Sequence, residues 1–155
     1  MKHNLQILLH EQLQRLQKMV AHLMYSHNSI HLPIVLGHEE KMIAYEALSA
    51  RFSRLQDALI PVFRTLAQLE LEHRKSERIL DLLNLMEKYR IVESVEKWQQ
   101  IREMRNTIAH EYWDDDEALA GLLTQVWHDT ELLTETVKRL QLYCVREKFI
   151  VGEIK

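Results

Sequence analysis

The chain has 155 residues, 46% of them apolar, and a formal charge of −3. That length fits a single domain, residues 1–155, and three Gly with two Pro argue against a β-rich or disordered chain. The charge gives no overall basic footprint for nonspecific nucleic-acid binding, and the single Cys144 excludes an intramolecular disulfide.

The lone cysteine suits a reducing cytosol. Met1-Lys2-His3-Asn4 opens without the apolar core of a signal peptide, and no apolar run approaches a bilayer span. A cytoplasmic protein with no membrane association is expected.

Leu5, Leu9, Leu13, Leu16, Val20 and Leu23 step by three and four, which predicts a first helix over about Asn4–Tyr25 with a core-facing stripe. Ser26 to Gly37 reads as a connector, broken by Ser26, Asn28, Ser29, Pro33 and Gly37. Its apolar cluster, Leu32, Ile34, Val35 and Leu36, is expected to tuck against the bundle. His22, His27, His31 and His38 match no closed zinc spacing, and no metal is expected there.

The second helix is the longest, about Glu39 to Glu72. Tyr45, Leu48, Phe52, Leu55, Leu59, Val62, Leu66 and Leu69 form a sustained seam that only Pro61 interrupts, where a kink is expected. Ser49, Ser53 and Asp57 lie on the other side, toward solvent or a partner chain. Arg51, Arg54 and Arg64 read as solvated. After His73-Arg74-Lys75-Ser76, Ser76 is a plausible cap for a short third helix with Ile79, Leu83 and Met86 as its stripe. Tyr89 to Ser94 turns the chain, and Ser94 can cap the next helix.

The fourth helix, about Val95 to Tyr112, carries most of the chain's usable chemistry. Arg105-Asn106-Thr107-Ile108-Ala109-His110-Glu111-Tyr112 gathers a guanidinium, an amide, an imidazole and a phenol. Trp98, Ile101, Ile108 and Tyr112 are its expected packed side; Arg102, Asn106 and His110 step by four along a polar one. Asn106 is four residues from His110 and can orient it. Arg105 and His110 are five apart, roughly 140° around an ideal helix. One straight helix cannot easily aim both at one atom, so either the helix distorts or a second copy completes the site.

A guanidinium and an imidazole suit phosphodiester chemistry. The first binds phosphate through two parallel hydrogen bonds and stabilises added negative charge. The second transfers protons near neutral pH. RNA carries its own nucleophile, the 2′-hydroxyl, so no metal, Ser or Cys is needed. The plainer alternative makes Arg105 a surface ion pair, His110 an interface histidine and Tyr112 core.

Asp114, Asp115 and Asp116 precede a fifth helix that runs to about Lys148 through Leu119, Leu122, Val126, Thr130, Leu133, Val137, Leu140 and Cys144. Capping accounts for these acids without invoking Mg²⁺. Trp113 reads as a buried helix-end aromatic rather than a base-stacking platform. Gly121 is expected to allow close helix approach, and Phe149 to Lys155 to be a loose tail.

Arg105-Asn106 followed by His110-Glu111-Tyr112 resembles the Arg-Asn-x-x-x-His-x-Tyr motif of the HEPN superfamily, closest to its HepT-like branch, encoded with a minimal nucleotidyltransferase. The resemblance covers about residues 40–142, including Phe52 to Asp57, Ile79 to Trp98 and Ile101 to Asp116. It implies a helical dimer with the motif at the dimer cleft. It also implies a metal-independent endoribonuclease toxin of a toxin–antitoxin pair, with Arg105 holding the scissile phosphate, His110 moving the proton and Asn106 orienting one of them. Arg102 would be a second phosphate contact. Tyr112 would accept AMP from the cognate nucleotidyltransferase. The competing expectation is a non-catalytic binding subunit of such a transferase; a third is a purely structural helical adaptor. All share one expected fold, an all-α antiparallel bundle of four long helices and a short one, with no cofactor.

Overall fold

A computed structural model gives the fold and describes residues 2–71, 78–110 and 115–150, with side chains in the second span as far as Thr107. Five helices follow one another: α1 (Lys2–Ser29), α2 (Glu39–Leu71), α3 (Ile79–Lys88), α4 (Val95–His110) and α5 (Asp116–Arg146). They form an all-α bundle. α1 packs along α2, α5 lies against α1, α2 and α4, and α3 bridges α2 and α4. Among the described residues no helix is long and apolar enough to cross a membrane.

The α2 stripe is the centre of the core. All eight of its expected seam residues, from Tyr45 to Leu69, are buried, and Phe63 and Ala67 join them. Pro61 stays inside the helix at an exposed position, at the cost of the hydrogen bond its N–H would have given to the Asp57 carbonyl. On α1, Leu9, Leu13, Leu16 and Leu23 are buried as the spacing predicts.

Helix α1 runs four residues further than its periodicity indicated, because Ser26 and His27 are both buried within it. The His27 ring stacks on Trp127 of α5 at 4.1 Å, and the Trp127 indole N–H donates to the His27 carbonyl at 3.0 Å. In the connector, Ile34 and Leu36 pack on the core, whereas Leu32 and Val35 stay exposed. The Tyr45 hydroxyl takes a hydrogen bond from the Val35 N–H at 3.0 Å and ties the connector to α2. Gly37 sits at φ +97°, a left-handed conformation that a side chain would strain.

Two helices end alike. Arg90 and Lys148 adopt left-handed φ values of 63° and 62°. Just beyond them, the Ile91 and Phe149 N–H groups reach back to the Met86 and Cys144 carbonyls, both at 2.9 Å, as in a Schellman ending. The second ending returns Ile150 to the core, so the expected loose tail starts no earlier than 151, outside the described residues. Gly121 also departs from expectation: a methyl group there would meet nothing within 4 Å, so no close helix approach depends on it. Ser76 lies outside the described residues. The residue before α3 is Arg78, which makes no side-chain cap.

Cys144 is fully buried on α5. Burial, and then the Glu70 carboxylate, push its thiol up to about 12. Nearby, Tyr143 donates to Glu70 at 2.5 Å and stacks on Tyr89 at 5.1 Å. Burial foremost, then Glu70, raises both phenols too. The folded thiol keeps its proton where the unfolded thiol, with an ordinary value of 9.0, has lost it. Unfolding therefore releases a proton, and stability falls between pH 9 and about 12 by about 1.4 kcal/mol per pH unit for this group. Urea midpoints measured across that window are expected to fall more steeply in the wild type than in Cys144→Ala. Equal slopes would remove the assignment.

Candidate functional site

The α4 helix starts from a doubly satisfied end. The Ser94 hydroxyl accepts the Lys97 N–H at 3.2 Å, and a Glu87 carboxylate oxygen from α3 accepts the Val95 N–H at 2.7 Å. Ser94 thus caps, as its residue type predicts. Trp98 and Ile101 then bury themselves against the core. The Gln56 side-chain amide, buried on α2, donates to the Trp98 carbonyl at 3.2 Å, and the Trp98 ring tilts against Phe63 at 5.6 Å. Lys97 meets the buried Asp129 of α5 at 3.4 Å. The first two turns of α4 are therefore fixed on two sides.

Arg105 continues that packed stripe rather than the polar one. It follows Trp98 and Ile101 by seven and four residues, the spacing of a single helix face. Its side chain is only 9% exposed. One terminal nitrogen, Nη2, donates to Asp57 Oδ1 at 2.6 Å, and Nη1 donates to the Ser53 carbonyl at 3.1 Å. Both acceptors belong to α2. Nε is buried without a protein partner. Ser53 and Asp57, expected to face solvent or a partner chain, instead receive the motif arginine, while the Asp57 side chain remains 62% exposed.

The guanidinium is thus anchored on α2 with donors to spare. An arginine carries five N–H groups in a fixed fork, and the two bonds to α2 use only two of them. An incoming phosphate must share or replace the Asp57 carboxylate, which is the competing anion of the site. Asn106 is exposed on the adjoining side and Arg102 is half-buried. His110 closes α4, one turn beyond Asn106. Its side chain, and all of Glu111, Tyr112, Trp113 and Asp114, lie outside the described residues. The structure therefore places Arg102, Arg105, Asn106 and His110 on the last turns of one helix.

Past the motif, Asp115 is the N-cap of α5 and accepts the Ala118 N–H at 3.1 Å, with Asp116 in the first turn. Asp115 thus takes the expected capping role. Among the described residues no three His, Cys, Asp or Glu side chains converge as metal ligands would. No local sequence pattern links Arg105 to its α2 acceptors; the spacing shows only that Ser53 and Asp57, four apart, share one helix face.

No protein-family model, no curated protein and no solved structure matches the chain.

Proposed function

We propose that the chain is a HEPN-type, metal-independent endoribonuclease, the toxin of a toxin–antitoxin pair with a minimal nucleotidyltransferase, acting in the cytoplasm. The observation that carries this reading is the shared position of Arg105, Asn106 and His110 on the last turns of α4, with the Arg105 guanidinium held on α2. His110 accepts the proton of the RNA 2′-hydroxyl, whose oxygen attacks the adjacent phosphorus. The bond from phosphorus to the 5′-oxygen breaks, and that oxygen takes the proton back from the His110 imidazolium, giving a 2′,3′-cyclic phosphate and a 5′-hydroxyl. Arg105 neutralises the charge that builds on the phosphate oxygens, Asn106 orients His110, and Arg102 steadies a neighbouring phosphate. Two chains contribute to each site, which removes the difficulty of aiming residues 140° apart at one atom.

Purified protein is expected to cut total RNA, and to keep doing so in EDTA, because the nucleophile comes from RNA and the charge stabiliser and proton carrier are side chains. His110→Ala should lower the rate by about 10²–10⁴-fold. Equal cleavage by wild type and variant, or none by either, would sink the enzyme reading.

One observation favours a second reading, a non-catalytic subunit of the transferase. Asp57 already occupies the Arg105 fork, and the whole chain is acidic. Both readings share a role for Tyr112 as acceptor of AMP from the transferase. An attached AMP would bring a phosphate that competes with RNA for the Arg105 guanidinium. Intact mass after incubation with the transferase and ATP is expected to rise by whole AMP units in the wild type and not in Tyr112→Phe. No gain, or the same gain in both, would remove Tyr112 from this role.

A further inference from the structure

A half-open cavity of about 280 Å³ lies between the antiparallel helices α1 and α2, lined by Met19, His22, Arg51 and Arg54. Among the described residues lining it, none is acidic. The surrounding sequence is as one-sided. From Gln12 to Ser29, α1 has no Asp or Glu but carries Arg15, Lys18, His22 and His27. From Ala47 to Ile60, α2 has one acid, Asp57, against two arginines. In a chain of 23 acidic residues, such a face is locally cationic.

Arg51 is pre-set. Its Nη1 donates to the His22 carbonyl at 3.1 Å and to the Ser26 hydroxyl at 2.8 Å, which fixes the plane of the guanidinium. The remaining N–H groups have no partner among the described residues. Arg54 is exposed and has no ion pair among them. An arginine fixed before binding loses less side-chain freedom when it meets an anion, and its planar fork fits two phosphate oxygens.

The cavity also adjoins the Arg105 anchor. Arg54 and Asp57 are three residues apart on α2, about 60° and 4.5 Å along an ideal helix. Guanidinium groups therefore run from Arg51 through Arg54 to Arg105 across the outer side of α2, with the His22 ring beside the first of them. Arg15 lines the next cavity along the same helix pair, beside Ala58 and Pro61.

We propose that the His22–Arg51–Arg54 cavity is a phosphoanion-binding site, and that it takes a phosphate of a single-stranded RNA whose neighbouring phosphates cross α2 toward Arg105. The site stands on the cavity and its charges; only the choice of RNA as the source of the phosphate rests on the function proposed above.

Calorimetric titration at low salt, in the His110→Ala background so that no strand is consumed, tests it with pyrophosphate and with a short oligouridylate as probes. Arg54→Gln, at an exposed position that leaves the fold in place, is expected to weaken oligouridylate binding about tenfold. It should also reduce the slope of log K against log salt by about 0.7, the loss of one neutralised phosphate, which no loss of structure alone would mimic. Arg54→Glu should weaken binding further. Weakening of both probes supports the strand site. Weakening of pyrophosphate alone keeps the anion site and overturns the RNA strand as its source. Absence of binding by either probe, or binding indifferent to both Arg54 variants, overturns the proposal. Arg54-dependent binding by a protein whose wild type cuts no RNA would leave this site standing and remove the nuclease reading.

Discussion

Arg105→Ala is expected to lower RNA cleavage by about 10²–10³-fold, the usual loss when one donor to a developing negative charge is removed. The effect on stability should be much smaller. The partner carboxylate of Asp57 is largely exposed and hydrates readily once freed, so little of the ion pair is lost. The Ser53 carbonyl and the packing of the arginine stem account for most of a cost of about 1–2 kcal/mol. Cleavage lost with a native circular-dichroism spectrum is the expected result; cleavage within threefold of wild type at about equal protein concentration would exclude Arg105 from the chemistry. Mixing the two dead proteins goes further. If each site takes Arg105 from one chain and His110 from the other, a heterodimer of Arg105→Ala with His110→Ala keeps one intact site. The heterodimer, separated from both inactive homodimers, should then show about half the wild-type cleavage. Complete inactivity of the mixed dimer would place both residues of a site on one chain, and a protein that sediments as a monomer would remove the shared site altogether.

Trp98→Ala is expected to have the largest effect on the fold. The ring is buried where α4 meets α2, against Phe63, and the backbone beside it takes the Gln56 amide. Removing it leaves a large void, costing about 3–5 kcal/mol, a large share of the stability of a domain this size. Urea unfolding should show the midpoint fall accordingly, and cleavage should fall with it because α4 loses its main anchor. Trp98→Phe should recover much of the loss. A shift under about 1 kcal/mol in Trp98→Ala would show that α4 is held chiefly by its polar contacts.

The two variants separate what the sequence conveys from what it hides. Helix existence and the inward faces were legible because burial follows local periodicity: Tyr45 to Leu69 on α2 and Leu119 to Cys144 on α5 step by three and four, and nearly all of them are core. Helix ends were less so. Ser26 and His27 look like turn residues, yet a ring contact with Trp127, a hundred residues away, keeps them helical. The motif was readable as residue types on one helix. Its electrostatic partner was not, since Asp57 and Arg105 are 48 residues apart and no local pattern links them. The spacing of Arg105 from Trp98 and Ile101 puts it on the packed face, whatever its chemistry suggests.

The anchoring of Arg105 has a thermodynamic consequence. The same guanidinium that would grip a phosphate also fastens the end of α4 to α2 through Ser53 and Asp57. Any anion that draws it away must first undo part of that attachment, so its measured affinity is the intrinsic one less the work of release. Linkage makes the relation mutual: a ligand that loosens α4 is itself bound more tightly when α4 is already loose, and by the same factor. Asp57 is then more than a neighbour of the motif. Removing its charge should tighten anion binding while loosening the helix, two opposite changes from one carboxylate.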